Sequence, residues 1–231
     1  MNETRRFLRY ITPGVLFGFL ILLFLWIAVP GWTISILKSY IAAKEKSITI
    51  IIGSLFISGA LGYLFATMHH WCHWYLPIDK NVINHTEQIK KLREKGFIPP
   101  ITCVQPNPRL EALTIVSILW FERLGDSSPV GNSENRVAAF SDLAHSAGTA
   151  RVASACALMA AILLCMLYGN WNPSVPNVIR FILMVVIGIM IICLFHDAYQ
   201  RTGKISQQLY DQILEHNLEK EQANGQHENA T

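Results

Sequence analysis

Four stretches of this chain lack charged side chains: residues 10–37, 47–78, 152–179 and 181–196. Roughly 20 helical residues cross the hydrocarbon core of a bilayer, so a charge-free apolar run of about 18 or more marks a membrane span. Spans are therefore expected at 11–30, 47–68, 152–170 and 178–196. The last is the shortest, yet it contains FILMVVIGIMIICLF, which is almost wholly aliphatic. The first apolar run is too long for the hydrophobic region of a secretory signal and is expected to remain as a helix. The pattern predicts an all-α membrane protein with four transmembrane helices.

The intervening segments give a domain order. Residues 1–68 form a first transmembrane hairpin, 69–151 a helical insert, 152–196 a second hairpin, and 197–231 a tail. The loop 30–46 has room for a short interfacial helix, with Trp32 and Tyr40 as anchors at the membrane surface. In the insert, Asp79 is placed to cap a helix over 80–95, in which Val82, Ile83, Ile89 and Leu92 repeat at helical spacing before Gly96. Pro99, Pro100, Pro106 and Pro108 predict an extended linker. A second helix is expected over 109–124, a loop over 125–132, and a third helix from Ser133 into the third span. The tail carries an apolar stripe of Ile205, Leu209, Tyr210, Ile213, Leu214 and Leu218. Such a stripe needs a cover. Either the chain's own helical insert or a partner protein, through Ile205, Leu209, Ile213 and Leu214, supplies it. The closing EKEQANGQHENAT is polar throughout and predicts disorder.

Charge adds orientation. Fifteen of the nineteen Lys and Arg residues fall in the N-terminus, the 69–151 segment and the tail; the opposite side holds Lys38, Lys44, Lys46 and Arg180. Positive charge marks the cytoplasmic side, so both termini and the insert are expected there. A net charge of +3 makes no case for nucleic-acid binding. Five cysteines, three of them inside spans, do not form a disulfide framework. The Asn-x-Thr sequons at Asn2, Asn84 and Asn229 all fall on the cytoplasmic side, which agrees with a bacterial inner membrane.

In lipid, helices associate where small residues four apart let backbones approach. Gly14 and Gly18 do this in the first span, Ser54, Ser58 and Gly62 in the second, and Ala153, Ala157 and Ala161 in the third. Three such faces point to a tight bundle and a homo-oligomer. No Asp, Glu, Lys, Arg or His lies at mid-bilayer depth. That argues against a proton-coupled transporter and leaves open a pore gated by dewetting.

Candidate chemistry centres on MHHWCHWY, residues 68–75. His69 and His73 share a helical face and Cys72 lies one turn from His69, an arrangement that metal ligation would need. Trp71, Trp74 and Tyr75 in the same stretch form an aromatic belt of the kind found at membrane interfaces, where amphipathic imidazoles also sit. The simplest reading is an interface anchor; metal binding and pH sensing are the alternatives. The His-x-x-x-His spacing resembles the first box of membrane desaturases, but the further boxes that those enzymes use are missing. There is no Gly-rich phosphate loop and no Gly-x-Ser-x-Gly or His-Glu-x-x-His motif. Neither catalytic residues nor a cofactor are expected.

Two membrane hairpins, a cytoplasmic insert and a cytoplasmic helical tail resemble the layout of the four-span membrane subunits of Kiwa-type bacterial antiphage defence systems. The resemblance implies an oligomeric scaffold or sensor in the inner membrane that recruits and controls a soluble cytoplasmic partner. A pore-forming effector and a metal-dependent membrane enzyme are the competing classes.

Overall fold

The computed structural model describes residues 3–42, 47–76, 79, 82–98, 107–124, 131–168 and 174–228. Seven helices occur among them: α1 (Glu3–Ala28), α2 (Pro30–Ala42), α3 (Ser47–Tyr75), α4 (Thr86–Glu94), α5 (Pro108–Leu124), α6 (Gly131–Tyr168) and α7 (Val175–Glu228). No strand is present among the described residues. Among the described residues, three stretches are long and apolar enough to cross a membrane: Tyr10–Ala28, Ala139–Leu167 and Val175–Lys220. The remaining expected span, 47–68, falls inside α3, where the side chains of 47–52 lie outside the described residues.

Local chemistry sets the helix ends. Pro30 has no amide hydrogen and disfavours helical geometry in the residue before it, so α1 stops ahead of Val29 and α2 opens with proline at its first position. Thr33 is buried and donates its hydroxyl to the Val29 carbonyl at 3.2 Å, satisfying backbone at the junction. Gly96 stops α4 as its position predicts. It takes φ +76°, a left-handed conformation open to glycine. The amides of Gly96 and Phe97 donate to the carbonyls of Arg93 and Leu92, both at 3.0 Å, in a Schellman cap.

The start of α4 differs from expectation. The helix begins at Thr86, and Asp79 does not cap it. The reason lies upstream of Thr86. Asn84 exchanges both backbone groups with the Gln207 side chain, at 3.0 and 2.6 Å, and its Oδ1 accepts from the Thr86 hydroxyl at 2.6 Å. A residue so engaged is held in a turn. The expected loop also ends earlier, because Gly131 and Asn132 already belong to α6; its residues 125–130, and the linker residues Pro99, Pro100 and Pro106, lie outside the described residues. In the tail, α7 continues to Glu228, so the polar segment expected to be disordered is helical up to that residue.

Contacts divide the chain into two units. The first comprises 1–70 and 145–198, the second 71–144 and 199–231. In the first unit α6 is the central element. Ala153, Ala157 and Ala161 are fully buried along one stripe of it. Ala157 and Ala161 join Leu20, Phe24 and Leu25 of α1 and Met184 of α7, while Ala153 joins Phe65 of α3. Gly188 of α7 accommodates the Leu158 side chain, whose Cδ1 would lie 2.6 Å from a Cβ there. Helices α1 and α3 touch backbone to backbone: Gly14 lies against the Ser58 carbonyl and Gly62 against that of Tyr10. Gly18 and Ser54, expected on the same packing faces, are exposed, and nothing lies near a Cβ at Gly18. The motif Gly14-xxx-Gly18 thus uses only its first glycine.

The second unit is a small helical domain. Ile89 and Leu92 of α4, Ala112, Ile115, Val116 and Leu119 of α5, Val137 of α6, and Leu214 and Leu218 of α7 form its core. Leu209, Tyr210 and Ile213 pack against it. The tail stripe is therefore covered by the chain itself along most of its length, and Ile205, 40% exposed, is the open end.

A side chain at Gly14 or Gly62 must push α1 and α3 apart, whereas one at Gly18 meets open space. Gly14→Leu and Gly62→Leu are each expected to lower stability by about 1–3 kcal/mol, the scale of overpacking. Gly18→Leu should be near neutral. Thermal melts of the three variants in detergent check this.

Candidate functional site

Residues 69–75 occupy the last two turns of α3, and their side chains part ways. In the first unit, His69 is 4% exposed. Its ring meets that of His145 on α6 edge to face, with centroids 5.3 Å apart and planes inclined at 68°. Gly148, one turn on, makes room for it: a Cβ there would collide with the His69 imidazole. Arg151, another turn along α6, donates from Nη1 to Nδ1 of His196 on α7 at 2.8 Å.

In the second unit, His73 is buried, and its Nδ1 is hydrogen-bonded to the fully buried Tyr199 hydroxyl at 2.5 Å. Trp74 lies edge-on to His73 at 4.6 Å and beneath the Arg109 guanidinium at 5.4 Å. Trp71 and Tyr75 point outward, 57% and 68% exposed, with ring centroids 5.9 Å apart. Only part of the expected aromatic belt is thus presented outward. Trp74 is turned in.

Arg109 is the hub of this unit. A helix leaves its last carbonyls without intrahelical partners. At the end of α3, Arg109 donates to the His73 carbonyl at 3.1 Å, and Asn107 Nδ2 donates to that of Trp74 at 3.4 Å. The other arm of the same guanidinium donates to the carbonyls of Asp79 and Ile83, at 3.2 and 3.0 Å. Asn107 also caps α5, its Oδ1 accepting from the Arg109 amide at 3.0 Å, with Pro108 at the first helical position. Burial pulls the guanidinium below its ordinary pKa, while nearby Tyr199 and Asp79 act the other way.

Further contacts seat α7. His85 Nδ1 lies 2.8 Å from Asp211 Oδ1, and Gln88 donates to the Asp211 carbonyl at 3.4 Å. Gly203 packs against Val82 with no space for a Cβ. Lys95 reaches Glu215 at 2.6 Å and Glu219 at 2.8 Å. Those carboxylates raise the Lys95 pKa to about 12, and the Lys95 ammonium holds Glu215 below the usual carboxylate range.

The candidate metal ligands do not converge. His69 contacts His145, His73 contacts Tyr199, and Cys72 is half-buried; among the described residues no group of three His, Cys, Asp or Glu side chains is placed to hold a metal. Sequence reasoning passed over Arg109, Tyr199, Asn107 and Gln207. Only Asn107-Pro108, a cap followed by proline, carried a local signal. Comparison with family models, with curated proteins and with solved structures finds no match. Imidazole, guanidinium and phenol groups here join helices to one another.

Two outcomes follow. A lysine cannot fork to separate carbonyls as the guanidinium does, so Arg109→Lys and Arg109→Ala should both destabilise the second unit. The expected loss is at least about 1.5–3 kcal/mol, the scale of a hydrogen bond from a charged group. Proteolysis of the 77–106 segment, followed against the intact chain, measures it. The Lys95 cluster gives a pH dependence. Glu215 is depressed from its ordinary 4.5, so its contribution is present above that value and is lost as pH falls through the lower folded value. The Lys95 contribution is lost only as pH rises to about 12. The pair is solvent-exposed and the effect is small. Lys95→Met should flatten the acid limb of the melting profile and leave the neutral region nearly unchanged.

Proposed function

We propose that this chain is a four-span protein of the bacterial inner membrane, with both termini and the second unit in the cytoplasm, and that it works as a homo-oligomeric scaffold or sensor. Its task is to recruit and control a soluble cytoplasmic protein. One observation carries the reading. Helices α3, α6 and α7 each run unbroken from membrane-type sequence into residues of the second unit, and the polar side chains there are spent on joining helices. Such an arrangement suits transmission and display better than chemistry. The topology rests on the four charge-free runs and the distribution of Lys and Arg. The resemblance in layout to Kiwa-type membrane subunits supports a role in antiphage defence.

The surface offered to a partner is narrower than the sequence implies. Leu214 is in the core, and Leu209 and Ile213 pack on it, so a charge at those positions breaks the domain itself. Ile118 and Ile205 are 49% and 40% exposed and are the better probes. A pore is the second reading. It is favoured by α7, whose apolar residues Ile179, Ile182, Val186, Met190 and Leu194 are all exposed and open to lipid or sister copies.

Affinity purification of the tagged chain from its native host in mild detergent tests the proposal. A soluble protein should be recovered at a fixed ratio, and Ile118→Glu with Ile205→Glu should lower its yield while the chain's melting stays unchanged. Recovery of a bare oligomer that conducts ions in liposomes would replace the scaffold reading by the pore.

A further inference from the structure

We propose that Trp71, Tyr75, Arg201 and Lys204 of the second unit form a collar that binds the anionic headgroups of phospholipids. The inference rests on the membrane reading above and deepens it by naming the lipid class that the chain selects.

The level of the collar comes from α7. Residues 181–200 contain no Lys or Arg. At a rise of about 1.5 Å per residue, a helix of that length covers about 30 Å, the thickness of the hydrocarbon core. Arg201 is the first cation beyond it, and Lys204 lies about 4.5 Å further along the helix. Cations at these positions meet the phosphate layer rather than the acyl chains. Both side chains are exposed.

The end of α3 reaches the same level. His73 is hydrogen-bonded to Tyr199, which sets the last turns of α3 beside the turn of α7 that leads into Arg201. There Trp71 and Tyr75 turn outward, 57% and 68% exposed, with ring centroids 5.9 Å apart. Water is a poor neighbour for two large rings. A headgroup layer accommodates both their apolar bodies and their polar edges. Aromatic rings and cations at one level are what a membrane surface recognises.

Charge selects the lipid. A guanidinium offers paired donors that match a phosphate, and an ammonium adds a compact point charge. Lys204 makes no hydrogen bond or ion pair among the described residues. The acidic groups of this region do not cancel the cations. Asp79 is fully buried, Asp211 lies against His85, and Asp197 precedes Arg201 by one turn. Arg201 has five donors, more than one carboxylate can accept. Phosphatidylcholine neutralises its phosphate with its own quaternary ammonium, whereas phosphatidylglycerol leaves that charge to the protein. The collar therefore favours the second.

Fluorescence anisotropy tests the collar, with dansyl-labelled phosphatidylglycerol and phosphatidylcholine each titrated with the full chain in neutral detergent. A cation at the membrane surface is worth about fivefold in affinity. The parent should favour phosphatidylglycerol at least about tenfold, and less so at high salt. Arg201→Gln with Lys204→Gln should remove most of that preference. Trp71→Ala with Tyr75→Ala should weaken both lipids and leave their ratio unchanged. Equal affinity of the parent for the two lipids, an unchanged ratio in the charge variant, or an aromatic variant that binds as the parent does overturns the proposal. Displacement of the labelled phosphatidylglycerol by glycerol 3-phosphate also overturns it, by making the ligand a free phosphate. If the charge variant does not fold, Lys204→Gln alone must lower the ratio several-fold; no change there overturns the collar. Binding of neither lipid removes the membrane reading along with the collar, whereas equal binding of both removes the collar alone. The partner test uses Ile118 and Ile205, which the collar does not, so failure of the scaffold leaves the lipid preference intact.

Discussion

The last carbonyls of α3 have no helical partners, and the second unit is organised around supplying them. Arg109 reaches His73, Asp79 and Ile83 with one planar group, while Asn107 covers Trp74 and caps α5 in the same turn. A buried guanidinium is costly to place unless its donors are used. Here backbone oxygens accept from both terminal nitrogens and the group lies over the Trp74 ring, while Nε has no partner among the described residues, and this fixes where α5 starts relative to the end of α3. The α4–α5 core of Ile89, Leu92, Ala112 and Ile115 can then close against Leu214 and Leu218. The dry contacts depend on a polar one.

The first unit follows the opposite logic. Its contacts are made by what is absent: no Cβ at Gly14, Gly62, Gly148 or Gly188, and only methyl groups along Ala153, Ala157 and Ala161. Lipid offers helices no hydrophobic reward for associating, so close approach has to supply the attraction. The histidines enter where that apolar packing runs out. His69 fits because residue 148 is a glycine, and His196 is held because Arg151 is one turn further along the same helix.

Much of this was legible in the chain. Charge-free runs located α1, α6 and the first part of α7, and Gly96 stopped α4, because each follows from a local rule that needs no partner. The alanine stripe was readable for the same reason. Arg109 was not, since its acceptors lie 26 to 36 residues away and are backbone atoms, which leave no mark in sequence. The tail stripe showed that Leu209, Ile213 and Leu214 need a cover without showing that α4 and α5 provide it. The spacing of His69 and His73 allows a shared helical face, yet a shared face says nothing about shared partners, and theirs differ. Asp79 misled the start of α4 because Asn84 is held in a turn by Gln207, 123 residues distant.

The alanine stripe has a mechanical consequence. Alanine has no rotamers, so a contact built on it neither interdigitates nor loses side-chain entropy when it shifts. Large side chains lock packed helices into register like teeth; a row of methyl groups behaves as a bearing. Movement of α1, α3 or α7 over α6 would therefore take the form of shear, small sliding along a smooth surface, rather than hinge bending. Resistance to that sliding falls to the few side chains that do interlock, such as Leu158 of α6 seated at Gly188 of α7, and to the Arg151–His196 contact.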